Sequence, residues 1–482
     1  MARLSITLIA VCLLSVSSRT FALVPQTTQP NVVVILADDL GWADVSYHAD
    51  RADTPNIDAL VAEGIELDRF YVAPMCSPTR AGLMTGRYPI RFGLARSVIP
   101  PQRNFGLDVN EQTLAEALGS IGYSRRGVFG KWHLGHHQAK WHPLAQGFTH
   151  FEGHYNGAID YFTHERESEP DWHIGYEPTD KPGYSTDLIA EAASEFIRTS
   201  SKDDAPYFCY VPFNSPHSPF QAKPEDLARY LKPGQNVTRK QITERTLKAM
   251  IWSLDRAIGR LLKTIEATGE AENTMVWFIS DNGGIGKVKT NNLPLRGNKL
   301  TTFEGGIRVP ACVRWPARWN AGQKMRKTIG YIDVFPTILS CAGGLPNHER
   351  STQRQLDGID LSAVFSGSDP ELPKRDWYSY HGQRGFENEN MAISTRRWKL
   401  VVEGPDLRRN GLTKQHHAHL FRMPDDLLEK HDLSTEQPQV VEQLIEKLIA
   451  HRSLQPPNPV DVFNVGKKGF VPPKRWRVIP DN

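Results

Sequence analysis

Cys76 lies in the run Met75-Cys76-Ser77-Pro78-Thr79-Arg80, which continues Ala81-Gly82-Leu83-Met84-Thr85-Gly86-Arg87. A free thiol there has little chemistry to offer. No carboxylate–histidine pair neighbours it to make a thiolate, and no second cysteine stands at metal-binding or redox spacing. Alone it reads as a small apolar side chain beside a proline turn. Asp38-Asp39 and Asp281-Asn282 are hard oxygen donors without Cys or His company. Such a set favours calcium or magnesium over zinc, although either pair alone could equally be a helix cap. Lys131 and His133, two residues apart, put a cation and an imidazole on one side of an extended backbone. His217, in Asn214-Ser215-Pro216-His217-Ser218-Pro219, is rigidly presented between prolines, which suits a proton donor. Lys299 adds a cation in the stretch that runs from Leu295 to Pro310.

Together these strings resemble the formylglycine-dependent (type I) sulfatases. The 76–87 run is similar to the signature whose cysteine is oxidised to an aldehyde. Gly130-Lys131-Trp132-His133-Leu134-Gly135 resembles the family's Lys-Trp-His-Leu-Gly motif, and residues 214–220 its Pro-His-x-Pro segment. The resemblance implies an alkaline-phosphatase-like α/β fold, with a formylglycine hydrate made from Cys76 as nucleophile and Arg80 orienting it. Lys131 and Lys299 would hold the sulfate, His217 would protonate the leaving oxygen, and His133 would act in the second half-reaction. Asp38, Asp39, Asp281 and Asn282, with the modified Cys76 facing them, would hold Ca2+, with Mg2+ the alternative. Thr301 and Glu304 read as structural. The implied maturation partner is a formylglycine-generating or an anaerobic sulfatase-maturing enzyme.

Three strings look most like the arylsulfatase B, or N-acetylgalactosamine-4-sulfatase, group: Tyr88 to Leu94, Asp160 to His164, and Asn291 to Gly297. The implied activity is that of an exported carbohydrate sulfatase. Its expected substrates are galactose- or N-acetylgalactosamine-type sugars of a sulfated polysaccharide. A phosphonate monoester or phosphodiester hydrolase of the same superfamily is the alternative, and an inactive sugar-binding relative is a more remote one.

Strand-like runs alternate with helical ones, the pattern of a largely parallel sheet flanked by helices. Asn31 to Ala37 is a continuous β-branched run, apolar from Val32 onward, as for a strand buried on both faces. Gly127–Gly130, Tyr207–Pro212 and Thr274–Ser280 read as further strands. Helices are expected over Thr54–Gly64, Leu114–Gly122, Thr186–Ser200 and Arg245–Gly269. Asp38-Asp39, Lys131 to His133 and Asp281-Asn282 each follow a strand, and ligands bind at the carboxyl ends of such strands. One site is therefore expected.

Residues 23–370 read as the catalytic domain. A Gly/Ser/Pro-rich linker at 366–374 leads to a smaller α+β domain over 371–482. That domain is expected to hold an antiparallel sheet (Trp377–His381, Met391–Ser394, Trp398–Val402) and a helix over Gln439–His451. The tail from Pro456, rich in Pro and basic residues, is expected either to drape over the surface or to be disordered.

Residues 1–22 have one early positive charge, an apolar run from Leu4 to Val16 and a small residue, Ala22, at the expected cleavage point. This describes a signal peptide and predicts a periplasmic or extracellular protein. The run is shorter than the ~20 residues a membrane span needs. Cys12, between Val11 and Leu13, fits a lipid anchor poorly. With 57 Lys and Arg against 54 Asp and Glu, the chain carries no nucleic-acid footprint. Too few cysteines remain for a disulfide scaffold. Substrate choice is expected in the aromatic- and His-rich segment from His150 to Tyr184, with Asp160, His164 and Trp172 as sugar contacts, helped by residues 380–384.

Overall fold

The computed structural model describes residues 29–232, 234–344, 355–367 and 371–478. The expected signal peptide, Cys12 included, lies outside them, as does part of the expected linker. A ten-stranded sheet runs in the order Gln323–Met325, Ile65–Leu67, Ala311–Arg314, Thr274–Ser280, Asn31–Ala37, Tyr207–Pro212, Arg125–Lys131, His150–His154, His173–Ile174, Glu177–Pro178. The five strands from Thr274–Ser280 to His150–His154 run parallel. Antiparallel pairs flank them.

Alternation along Asn31–Ala37 explains its composition. Val32, Val34 and Leu36 enter one apolar cluster with the helices Cys76–Thr85, Leu114–Gly119 and Tyr331–Cys341. Val33, Ile35 and Ala37 enter a second with Pro55–Ala62, Ser185–Ser200 and Arg239–Ala267. Both faces are covered, so from Val32 to Ala37 the strand is wholly apolar, and polar side chains stand only at its two ends, Asn31 and Asp38. The longest helix starts six residues before the expected Arg245. Thr238 caps it by accepting from the Gln241 amide, and the Gln241 side chain accepts from the Thr238 amide in return.

The second sheet is four-stranded and antiparallel: Trp377–His381, Glu389–Ser394, Trp398–Gly404, His417–Arg422. Its last strand was not expected, because His417 and His419 interrupt the apolar pattern. The helix Pro438–Arg452 packs on this sheet, and Trp377, Ile393, Leu400 and Leu448 join the first apolar cluster of the main sheet. The tail is not disordered. Trp476 is fully buried against His136 and Phe470, its Nε1 donates to Arg166 O, and the Arg475 amide donates to Glu169.

A buried ion triad ties the second sheet to the first. Lys399 Nζ lies 2.7 Å from both Glu304 and Glu429. Glu429 Oε2 also accepts from the Glu304 amide. One ammonium serves two carboxylates. Burial lifts Glu429 to about 7, and Lys399 and Arg308 overcome the burial of Glu304 and keep it low. The pair therefore retains one proton near neutrality.

Replacing Lys399 with Met removes the one cation that Glu429 and Glu304 share and leaves Glu304 only the more distant Arg308, so unfolding in denaturant should show a loss of about 3–5 kcal/mol. A carboxyl raised in the folded state binds its proton more tightly there than in the unfolded chain. Its stabilisation is present in acid and is lost as pH rises through about 7. Stability of the parent measured against Glu429→Gln should accordingly fall between pH 5 and 8, and a rise would contradict the proton assignment.

Candidate active site

The sheet's register puts the chemical groups together. Ala37 pairs with Ser280 and Leu36 with Pro212, so Asp38, Asp281 and the 214–217 turn leave the sheet side by side. The Asp281 amide donates to Ala37 O, and the Asp38 amide donates to Ser215 O. Lys131 ends the next strand. Asp39 turns into the left-handed region at φ 64°, and its own amide donates to Asp281 Oδ1.

Cys76 is the first residue of the ten-residue helix Cys76–Thr85, at the end where the peptide dipoles favour negative charge. Gly82 allows that helix to lie flat on the Tyr331–Cys341 helix, since a Cβ there would sit 2.1 Å from the Tyr331 ring. Cys76 Sγ lies 3.5 Å from Asp38 Oδ1, 3.4 Å from Asn282 Oδ1 and 3.3 Å from Lys299 Nζ. Burial first, then the Asp281 charge, push its thiol far above the ordinary range, so it stays protonated.

The charged groups interlock. Arg80 forks onto Asp281 Oδ2 at 2.8 and 3.2 Å and donates its third bond to Lys131 O. Its guanidinium is thereby consumed in positioning. Lys131 Nζ is 2.6 Å from Asp38 Oδ2, and Lys299 Nζ is 2.6 Å from Asp39 Oδ1. Burial raises Asp281 to about 6, with the Asp38 charge adding to it and Arg80 opposing. Burial alone would raise Asp39 too, but Lys299 and His217 overcome it and hold this carboxyl at about 2.

His217 points its Nε2 at Asp39 Oδ2, 3.5 Å away, and its Nδ1 lies 2.5 Å from Ser218 O. Burial pulls its pKa down to about 3; the Asp39 charge opposes this, and Lys299 and Lys131 add to it. His133 uses Nε2 on Ile99 O at 3.0 Å, and its buried Nδ1 has no partner. It is tied to the thiol's helix through Ser77, whose Oγ donates to His133 O.

The donor set fits a hard divalent cation. Ligating atoms of Asp38, Asp39, Cys76 and His217 all lie within 4.8 Å of one another. Asp39 Oδ2 is buried without a hydrogen-bond partner, an oxygen that a cation would satisfy. The structure thus brings the expected Asp38, Asp39, Cys76, Arg80, Lys131, His133, His217, Asp281, Asn282 and Lys299 to one end of the sheet.

The three expected sugar contacts are placed differently. Trp172 is 1 % exposed and packs its ring against His164, so it presents no free face. His164 is buried and bonded to Gly183 O. Asp160 Oδ1 accepts from the Phe162 and Thr163 amides, and its Oδ2 from Gln221. All three hold the segment's shape. The aromatic side chain the segment exposes is Phe162, at 42 %, beside Tyr161, whose hydroxyl donates to Asn214 O and His217 O. Sequence reasoning passed over Phe162, and it also missed Gly157, where a Cβ would come within 2.4 Å of the His133 ring.

Comparison with known proteins agrees with this geometry. The Sulfatase family model matches residues 30–345. The chain belongs to the sulfatase family. It is 32 % identical to mouse arylsulfatase J over 88 % of this chain and 75 % of that protein. It is 31 % identical to rat N-acetylgalactosamine-6-sulfatase over 92 % of this chain and 90 % of that protein. Among solved structures, Ps i-CgsB in complex with k-i-k-neocarrahexaose superposes with a TM-score of 0.78 at 27 % identity, covering 89 % of this chain and 94 % of that one. This sulfatase is therefore a sulfuric ester hydrolase with the large mixed sheet and separate antiparallel sheet of its structural neighbours.

Gly157→Ala should drive the His133 ring from its place. A displacement of about 1 Å in a catalytic group costs on the order of 100-fold. We expect kcat on an aryl sulfate to fall by about that factor while circular dichroism stays native. A parent-like kcat would show that the position of His133 does not matter.

Proposed function

We propose that this sulfatase removes sulfate monoesters from galactose- or N-acetylgalactosamine-type sugars of a sulfated polysaccharide, using a formylglycine hydrate made from Cys76. The observation that carries the reading is the state of the thiol. Buried and held protonated, it is a poor nucleophile, yet it sits among Asp38, Asn282 and Lys299 at a helix N-terminus. Oxidised and hydrated, the residue supplies two hydroxyls on one carbon, one to attack sulfur and one from which the sulfate is later eliminated.

The remaining chemistry belongs to side chains already in place. Asp281, raised towards neutrality, accepts the proton of the attacking hydroxyl. Lys131 and Lys299 neutralise the sulfate oxygens as charge develops on the bridging oxygen. His217 Nε2 delivers a proton to the leaving sugar, since the arriving anion favours its protonated form. His133 Nδ1, buried without a partner, takes the proton of the second hydroxyl. Asp38, Asp39, Asp281 and Asn282 are the residues that would hold Ca2+ or Mg2+, which supplies further positive charge to the sulfate.

The sugar assignment rests on the names of the relatives together with the exposed Phe162, an aromatic face for a pyranose ring next to the His217 turn. An exported location, periplasmic or extracellular, follows from the leader sequence. No helix among the described residues is long and apolar enough to cross a membrane.

Mass spectrometry of the Cys76 peptide from protein made with a maturation enzyme should show the mass of the aldehyde or its hydrate. Cys76→Ser should lose turnover on aryl sulfate, because a serine sulfate has no second hydroxyl from which to eliminate. Full activity of the serine variant would rule the mechanism out, and faster hydrolysis of an aryl phosphodiester than of an aryl sulfate would reassign the substrate class. Chelation should lower both turnover and the thermal midpoint, with Ca2+ restoring them.

Phe162→Ala should raise KM for a sulfated oligosaccharide several-fold more than for an aryl sulfate, which does not extend beyond the sulfate pocket. Equal effects on both would remove Phe162 from sugar binding.

A further inference from the structure

Five arginines are buried among the described residues: Arg80, Arg96, Arg308, Arg314 and Arg452. Four face carboxylates, on Asp281, Asp68, Glu63 and Glu389 respectively. The Arg96 side chain, on a residue only 4 % exposed, makes no hydrogen bond or ion pair to a described residue, and its Nε is buried without a partner. Its guanidinium carbon lies 4.0 Å from the centre of the Phe386 ring. A guanidinium taken from water without a counter-ion is costly unless an anion arrives to meet it.

Its surroundings repeat the pattern. Ser97 Oγ, both ring nitrogens of His381 and Gln383 Oε1 are buried and unpartnered. The two stretches touch, since the Gly382 amide donates to Arg96 O at 3.0 Å. Burial holds His381 largely neutral, so its ring can donate without adding a charge. Polar atoms of one protein do not gather unpartnered in one place by chance; a built site waiting for a polar ligand is the economical account.

The place is next to the catalytic centre. Val98 packs on Met75 and Cys76. The Ile99 amide donates to Ser77 Oγ, and Ile99 O meets the His133 ring. Two residues of chain span at most about 7 Å, so the Arg96 backbone lies within about that distance of Val98, which packs on Cys76. Nothing in the proposed hydrolysis uses it.

We propose that Arg96, with Ser97, His381 and Gln383, forms a second anion subsite. It takes a further oxyanion on the saccharide whose sulfate ester occupies the Cys76 pocket. The fork geometry of arginine suits both a second sulfate and a uronic-acid carboxylate, each held by two parallel bonds. The preferred substrate is then a sugar carrying at least two negative charges. This inference rests on the saccharide-sulfatase reading above.

The test uses the matured full-length enzyme and three probes: galactose monosulfate, galactose disulfate, and a sulfated disaccharide containing a uronic acid. The parent should favour one of the doubly charged probes over the monosulfate in kcat/KM, and which one it favours identifies the anion. Arg96→Gln should cut that preference by roughly 10- to 100-fold, the worth of hydrogen bonds to a charged group. Arg96→Lys should restore only part of it, since the charge returns without the fork.

Calorimetry with Cys76→Ala reads the same preference as binding, independent of turnover and of folding in the arginine variants. A parent without preference for a second charge, or an Arg96→Gln variant that loses equally on all three probes, overturns the subsite. Inactivity of the parent on every sulfated sugar while it cleaves aryl sulfate would instead overturn the saccharide reading, and the binding measurement would still report on Arg96.

Discussion

Three carboxylates and three cations share one buried space at the end of the sheet: Asp38, Asp39 and Asp281 against Lys131, Lys299 and Arg80. Taking such charges out of water costs several kcal/mol apiece, and only close pairing recovers it. The rest of the molecule is arranged so that this pairing holds. Asp38-Asp39, Lys131 and Asp281 sit at three strand ends and Arg80 on the Cys76–Thr85 helix, so the register of the parallel strands sets most of the pair distances. Strands buried on both faces supply the apolar burial against which this polar cluster is tolerated.

The same arrangement separates positioning from chemistry. Arg80 spends its whole fork on Asp281 and a backbone carbonyl, and it thereby holds the helix bearing Cys76 against the strand bearing Lys131. Lys399, far from the reacting atoms, fixes Glu304 at the close of the stretch that carries Lys299. The second sheet therefore acts on the site through that loop, and the shared apolar cluster makes the two sheets one packing unit.

Much of this was legible in the sequence because the chemistry sits where chain patterns change. A β-branched run that stops at two aspartates announces both the strand and the site, as does Thr274–Ser280 before Asp281. Which side chains of the 150–184 segment face outward was not legible. Trp172, His164 and Phe162 look alike as letters, and only packing shows that the first two are turned inward while the third remains outside. The last strand of the small sheet was hidden by its histidines. The tail was hidden by its composition, since a single buried Trp476 anchors a stretch otherwise rich in Pro, Lys and Arg. Arg96 carried no signal at all, because a buried unpaired arginine is defined by what fails to surround it.

Cys76 is 1 % exposed in the finished fold, and the helix on which its own helix lies begins only at Tyr331. A second enzyme cannot reach a thiol so enclosed. The oxidation proposed for it has to occur while the chain is still open, before the later helix arrives to close the first. On the proposed mechanism, activity would then depend on whether that encounter comes before folding, and a chain that folded first would keep its thiol under a completed core.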